Sequence, residues 1–255
     1  MSRLILIASL FSSLAGSTIA AEPQASWLKL EIIRGDAAMP LGVVATEVTE
    51  ADSNLRVMQR IRMGNNTRSI AASSFVEYRT VGDSLAPTAA EFSTDVSGSA
   101  KIQSELTFDG AEFTESFIMS RDLKGNDVAD KSPVVSKREL KHPEFVHLWA
   151  LPVLAQRILS APGRATIALP KFPDQSPLKD NSSVTRDKTL YYDLTRKPAD
   201  GDGNVTFTLG PVGTDREEWV LVFSAKGTFQ SLTMPRRMIV SAASEADFDS
   251  WGNTQ

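Results

Sequence analysis

The chain carries two histidines, His142 and His147. A metal pair on a helix needs a spacing of three or four, and one on a strand needs an even spacing, so that both rings meet one ion. A separation of five meets neither condition. With no cysteine in the chain, no thiolate can complete a site, serve as a nucleophile or hold an iron–sulfur cluster. The expectation is a surface His142, a partly packed His147, and neither metal nor cofactor. Serine-hydrolase chemistry needs a nucleophile on a tight elbow with a histidine base. No Gly-x-Ser-x-Gly occurs, and Ser99, after Gly98, sits in a polar turn entering a strand. Asp200-Gly201-Asp202-Gly203-Asn204 has the alternating oxygens of a calcium loop but lacks its closing glutamate. It runs directly into a strand at Val205, so a hairpin turn is the better reading.

Glu115 is the acid of greatest interest. It shares the register of Phe113, Phe117 and Met119, which aims a carboxylate among apolar side chains. Such a group has a raised pKa and could act as an acid or grip a polar head group. The competing reading is a strand-edge position from which it reaches solvent. Arg56, Arg60 and Arg62 form a stripe that could meet phosphate or an anionic polysaccharide. A charge row on an outer face more often only solvates a sheet and protects it from edge pairing.

The elements that must position these residues are mostly strands. Leu55, Val57, Ile61 and Met63 alternate with the arginines, and Ile70, Ala72, Val76 and Tyr78 continue after Gly64-Asn65-Asn66. Ile102, Leu106 and Phe108 precede an Asp109-Gly110 turn, with Phe113 to Met119 as the returning strand. Val205 to Leu209, Trp219 to Phe223 and Thr228 to Thr233 repeat the pattern, and Leu30–Ile32 and Val43–Val48 add two more. About ten strands joined by short turns imply an antiparallel meander. Residues 143–160 break the alternation: Phe145, Leu148, Trp149, Leu151, Leu154, Ile158 and Leu159 follow helical spacing, with Pro152 expected to kink or split the helix. A second short helix is predicted from Ser244, with Asp247 at the capping-box position and Phe248 and Trp251 as its apolar face. Pro170 to Asn181 reads as an exposed loop.

Each strand is apolar on one face, so the sheet must curl or be covered. The predicted fold is all-β with minor α: one antiparallel, strongly curved sheet or half-barrel of about ten strands with a helical plug. Met1-Ser2-Arg3, the largely apolar stretch Leu4 to Leu10 and the small residues before Glu22 have the three parts of a secretory signal peptide. The expected organisation is a signal over 1–21 and a single β-rich domain over 22–255, with the helical insertion at 143–160. The expected location is the bacterial periplasm or the extracellular space. Apolar residues make up 42% of the chain and the net charge is −4, enough for a real core and unlike a nucleic-acid binder. No later apolar run is long enough to span a membrane in the mature chain.

From Trp27 to about Val240 this architecture resembles the half-barrel proteins of bacterial envelopes, the lipoprotein-localisation carriers and similarly built periplasmic families. The resemblance implies a concave apolar cavity suited to an acyl chain or another hydrophobic ligand. No motif accompanies it, so no residue role is carried over. The expected function is that of an exported, non-enzymatic envelope protein binding a hydrophobic ligand, such as a lipid, or an envelope-protein partner. Phe113, Glu115, Phe117, Trp149 and Leu154 are the candidate ligand-binding residues, and no catalytic residue is assigned. The alternatives are an interaction module with a solid core and a carboxylate-dependent hydrolase of envelope polysaccharide.

Overall fold

A computed structural model of the 255-residue chain describes residues 24–65, 68–81, 84–122, 124–141, 144–169, 190–213 and 219–251. The predicted signal segment, the loop at 170–181 and His142 lie outside the described residues. Eight strands come first: β1 (Gln24–Arg34), β2 (Ala37–Ala51), β3 (Asn54–Asn65), β4 (Arg68–Val81), β5 (Ser84–Val96), β6 (Lys101–Asp109), β7 (Glu112–Arg121) and β8 (Val134–Glu139). After a helical segment follow β9 (Gly163–Leu169), β10 (Leu190–Arg196), β11 (Val205–Pro211), β12 (Trp219–Phe223), β13 (Phe229–Met234) and β14 (Met238–Ala243). All pair antiparallel in one unclosed sheet of order β8-β7-β6-β5-β4-β3-β2-β1-β14-β13-β12-β11-β10-β9.

The expected ten strands are therefore fourteen among the described residues. The additional strands lack clean alternation. β5 contains Pro87 and a run of alanines, and β8 exposes Val134 and Val135 together. Both prolines within the first strands sit at bulges, where a missing amide proton is tolerated. The β1–β2 register shifts beside Pro40, and the β4–β5 register shifts beside Pro87. At the second bulge the Thr88 hydroxyl donates to the Glu77 carbonyl at 3.2 Å.

The order describes two meanders. One runs outward from β1 to β8, the other returns from β9 to β14, and they meet where Trp27 to Ile32 pair with Ala243 to Met238. One sheet face, called the core face below, carries Leu28, Leu30, Val44, Leu55, Val57 and Val76 from the first meander. Leu194, Phe207, Leu209, Leu221, Leu232 and Val240 come from the second, and all belong to one contiguous core.

The segment between the meanders departs from the predicted helix over 143–160. Phe145 is extended and bridges Ala168 of β9 in parallel; Val146 donates to the Ala168 carbonyl at 2.9 Å, and Ala168 donates to Glu144 at 2.6 Å. Phe145 also lies against Phe108 of β6 and Phe92 of β5, with ring centroids 5.1 and 6.3 Å away. The backbone at Phe145 thus pairs with β9 while its ring lies against β5 and β6, toward the other end of the sheet. A 3-10 turn at Leu148–Ala150 leads into α1 (Leu151–Ile158), and Leu151, Leu154 and Ala155 are fully buried in the core. Pro152 falls in the first turn of α1, where its missing N–H costs nothing, so it splits the segment at that point and does not kink the helix.

The second helix, α2 (Glu245–Ser250), has the predicted capping box between Ser244 and Asp247. It covers the opposite, outer face, where Phe248 packs with Val43, Ala45, Trp27 and Trp251.

Candidate functional site

The pairing registers place Ser26, Thr46, Gln59, Ser74, Phe92 and Ser104 in one row across β1 to β6 on the core face. The rows on either side are apolar: Leu28, Val44, Ile61 and Ala72 on one side, Val48, Val57, Val76 and Ala90 on the other. Thr46, Gln59 and Ser74 are buried and joined. Gln59 Nε2 donates to Thr46 Oγ1 at 3.0 Å, and Ser74 Oγ donates to Gln59 Oε1 at 3.2 Å. His147, on the approach to α1, completes the cluster from inside. Its Nδ1 hydrogen-bonds Gln59 Oε1, and its ring lies 5.7 Å from that of Phe92. Burial pushes the imidazole pKa down to about 3, which keeps it neutral. Two further hydroxyls on this face, Ser26 Oγ and Tyr78 Oη, are buried with no hydrogen-bond partner among the described residues. Burial also pushes the Tyr78 phenol up.

The signal for this row was present in sequence: a polar residue stands in the apolar register of three successive strands, at Thr46, Gln59 and Ser74. Period-two reading names only the apolar members, so the row goes unnoticed until the registers align it.

Of the predicted ligand residues, Phe113, Trp149 and Leu154 lie in the main core. Phe117 lies in a separate cluster with Ala100, Ile102 and Met119. Glu115 sits between Phe113 and Phe117, where it accepts from Ser104 Oγ at 2.6 Å and pairs with Arg138 of β8 at 3.4 Å. Its carboxylate is 13% exposed and has a cation and a hydroxyl beside it, which is the chemistry of an inward ion pair. The arginine stripe holds other parts of the protein. Arg56 Nε donates to Glu77 at 2.9 Å, and the guanidinium groups of Arg60 and Arg62 lie over the Phe248 ring at 5.3 and 4.5 Å.

Asp200 confirms the turn reading. Its Oδ1 accepts from the amides of Asp202 and Asn204, and its Oδ2 accepts from Asn204 Nδ2. Asp122-Leu123-Lys124-Gly125-Asn126 repeats the pattern, with Asp122 accepting from the Lys124 and Asn126 amides and from Asn126 Nδ2. In both loops the first carboxylate folds back on its own backbone, which pulls its pKa down. Among the described residues no cluster of three or more His, Asp or Glu is placed to hold a metal, and no helix is long and apolar enough to cross a membrane.

Comparison with family models, curated proteins and solved structures returns no match to this chain.

Proposed function

We propose that this is an exported, non-enzymatic envelope protein whose sheet curls around α1 as an open half-barrel and binds a hydrophobic ligand on its core face when α1 withdraws. The observation that carries the reading is the pairing of one continuous apolar face, drawn from both meanders, with a single eight-residue helix as its cover. A flat sheet of fourteen strands would be roughly 65 Å wide, and α1 is only about 12 Å long. The pairing of Phe145 with β9 and the contact of its ring with Phe92 and Phe108 of β5 and β6 support a sheet that bends around this segment.

Arg157 pairs with Glu50 of β2 at 2.9 Å, Gln156 Nε2 donates to the Gly227 carbonyl at 2.8 Å, and Arg196 of β10 donates to the Leu159 carbonyl at 2.9 Å. α1 has no side-chain cap at its start. A helix this short holds its shape through packing and not by itself, so a departing α1 would unwind and leave apolar surface behind.

The absence of cysteine allows a direct test. Glu50→Cys and Arg157→Cys, joined by a short bismaleimide, would tie α1 to β2. Uptake of Nile red is expected in the unlinked protein and should disappear on linking. N-terminal sequencing of the protein from its host should find a chain beginning near Glu22; a retained Met1 would overturn export. The full burial of Leu151, Leu154 and Ala155 favours a second reading, an interaction module with a permanently solid core. On that reading neither form takes up the dye, and Trp149→Ala costs about 3–5 kcal/mol, as deletion of a core aromatic does.

A further inference from the structure

We propose that the row formed by Thr46, Gln59 and Ser74 is a recognition site for the neutral, hydrogen-bonding head group of an amphiphile, and that the His147 side chain holds that place while α1 is docked. The assignment rests on the ligand-binding reading above and adds the chemical class of the ligand. Three linked polar side chains in the middle of an apolar sheet face are not needed for stability. Apolar residues of similar shape at such positions are commonly neutral or stabilising, whereas any one polar member left unpaired is costly. His147 adds a second donor to Gln59 Oε1, beside the Ser74 hydroxyl. If α1 withdraws, His147 leaves with it, and the amide of Gln59 faces the vacated concavity with one acceptor position of its oxygen open beside the Ser74 hydroxyl. A ligand that supplies a donor there replaces the lost bond, while its hydrocarbon covers the valine and isoleucine rows on either side.

The charge of the head group follows from the surroundings. Neither flanking row contains a charged residue. Of the acids in the core register of β2 and β7, Glu115 keeps Arg138 of β8 as its partner, and Glu50, which loses Arg157 with a departing α1, is exposed to water. A carboxylate brought to the row would meet hydroxyls and an amide but no cation, so it would lose its hydration without compensation. A primary amide or a glycerol hydroxyl, each of which donates as well as accepts, matches the same groups at little cost. Buried hydroxyls on the same face, at Ser26 and Tyr78, offer further bonding positions.

The test is displacement of Nile red from the full mature chain by oleamide, 1-oleoylglycerol and oleate, at a pH where oleate is ionised. The neutral pair should displace the dye at about tenfold lower concentration than oleate. Gln59→Leu should narrow the gap between neutral and ionised competitors to less than about threefold, a ratio taken within one variant and so independent of its dye affinity. Thr46→Val provides a second variant if Gln59→Leu fails to fold, and the ranking in the unmodified protein needs neither. Equal potency of the three competitors, or a preference that survives both substitutions, overturns the head-group site and leaves the cavity reading intact. Failure of the unmodified protein to take up Nile red at all overturns both.

Discussion

At the scale of single residues, His147 couples protonation to folding because its imidazole is buried. Its ordinary pKa of 6.5 describes the unfolded chain, and the folded chain takes up the same proton only near about 3. Between those values the unfolded state binds more protons, so the stabilising contribution is complete above 6.5 and is lost as pH falls toward 3. The slope reaches up to about 1.4 kcal/mol per pH unit. Urea unfolding between pH ~4 and ~7 should show this decline, and His147→Gln should flatten it. Equal slopes in the two proteins would place the acid sensitivity elsewhere. Glu115 offers a second residue-level test. Glu115→Ala should destabilise by about 1–3 kcal/mol, because Arg138 is left largely buried without its acid. Glu115→Leu combined with Arg138→Leu should recover most of that loss; a double variant as weak as the single one would show that the pair does more than neutralise itself. The inward position of Glu115 was legible from the register of Phe113 and Phe117. Its partner was not, because Arg138 lies on a strand with no apolar alternation to announce which face it occupies.

Among the elements, turns were read more reliably than strands. Asp109-Gly110 and Ala225-Lys226-Gly227 carry their own backbone instructions, since φ > 0 is required at Gly110 and Gly227 and glycine meets it without strain. Strands depend on what they pair with, and β5, β8, β9, β10 and β14 gain their identity from neighbours distant in sequence. The helical segment was over-extended for a related reason. Phe145 and Val146 are buried together, and apolar residues at helical spacing look the same whether they form a turn of helix or bridge to a strand edge. The Asp122 loop shows how much one turn can matter. Gly125 has φ +84°, and a Cβ there would meet the Gly98 carbonyl at 2.6 Å; at Gly110, φ is +61° and the space is open. Gly110→Ala should therefore cost about 1–2 kcal/mol from backbone strain alone. Gly125→Ala should cost about 2–4 kcal/mol, since the loop must also move away from the β5–β6 turn. Thermal unfolding of the two variants distinguishes these cases, and equal losses would show that the loops do not press on each other.

For the whole molecule, the antiparallel, single-sheet character was legible because the turns are short and the period is two. The strand order was not. Nothing local in Trp27–Ile32 or Met238–Ala243 names the other as its partner, and a pairing between the two ends of a chain is specified only by the sum of everything between them. This seam makes the terminal strands internal to the sheet. Deleting residues 238–255 should therefore expose two strand edges in the middle of the sheet, β1 and β13, and yield an associating product visible by light scattering. A monomer of unchanged stability would show that β14 is dispensable.

The same seam sets an order in time. Among the described strands, every pairing but this one joins sequence neighbours within a meander, so each wing can assemble as its hairpins emerge. β1 must wait for nearly the whole described chain before its second edge is covered. Such a closure is entropically late and slow. Until it occurs, the six positions from Trp27 to Ile32 present an open template that any other copy's β14 fits as well as the chain's own. Refolding at high protein concentration should then trap exchanged dimers whose terminal strands are swapped, while dilute refolding gives monomers.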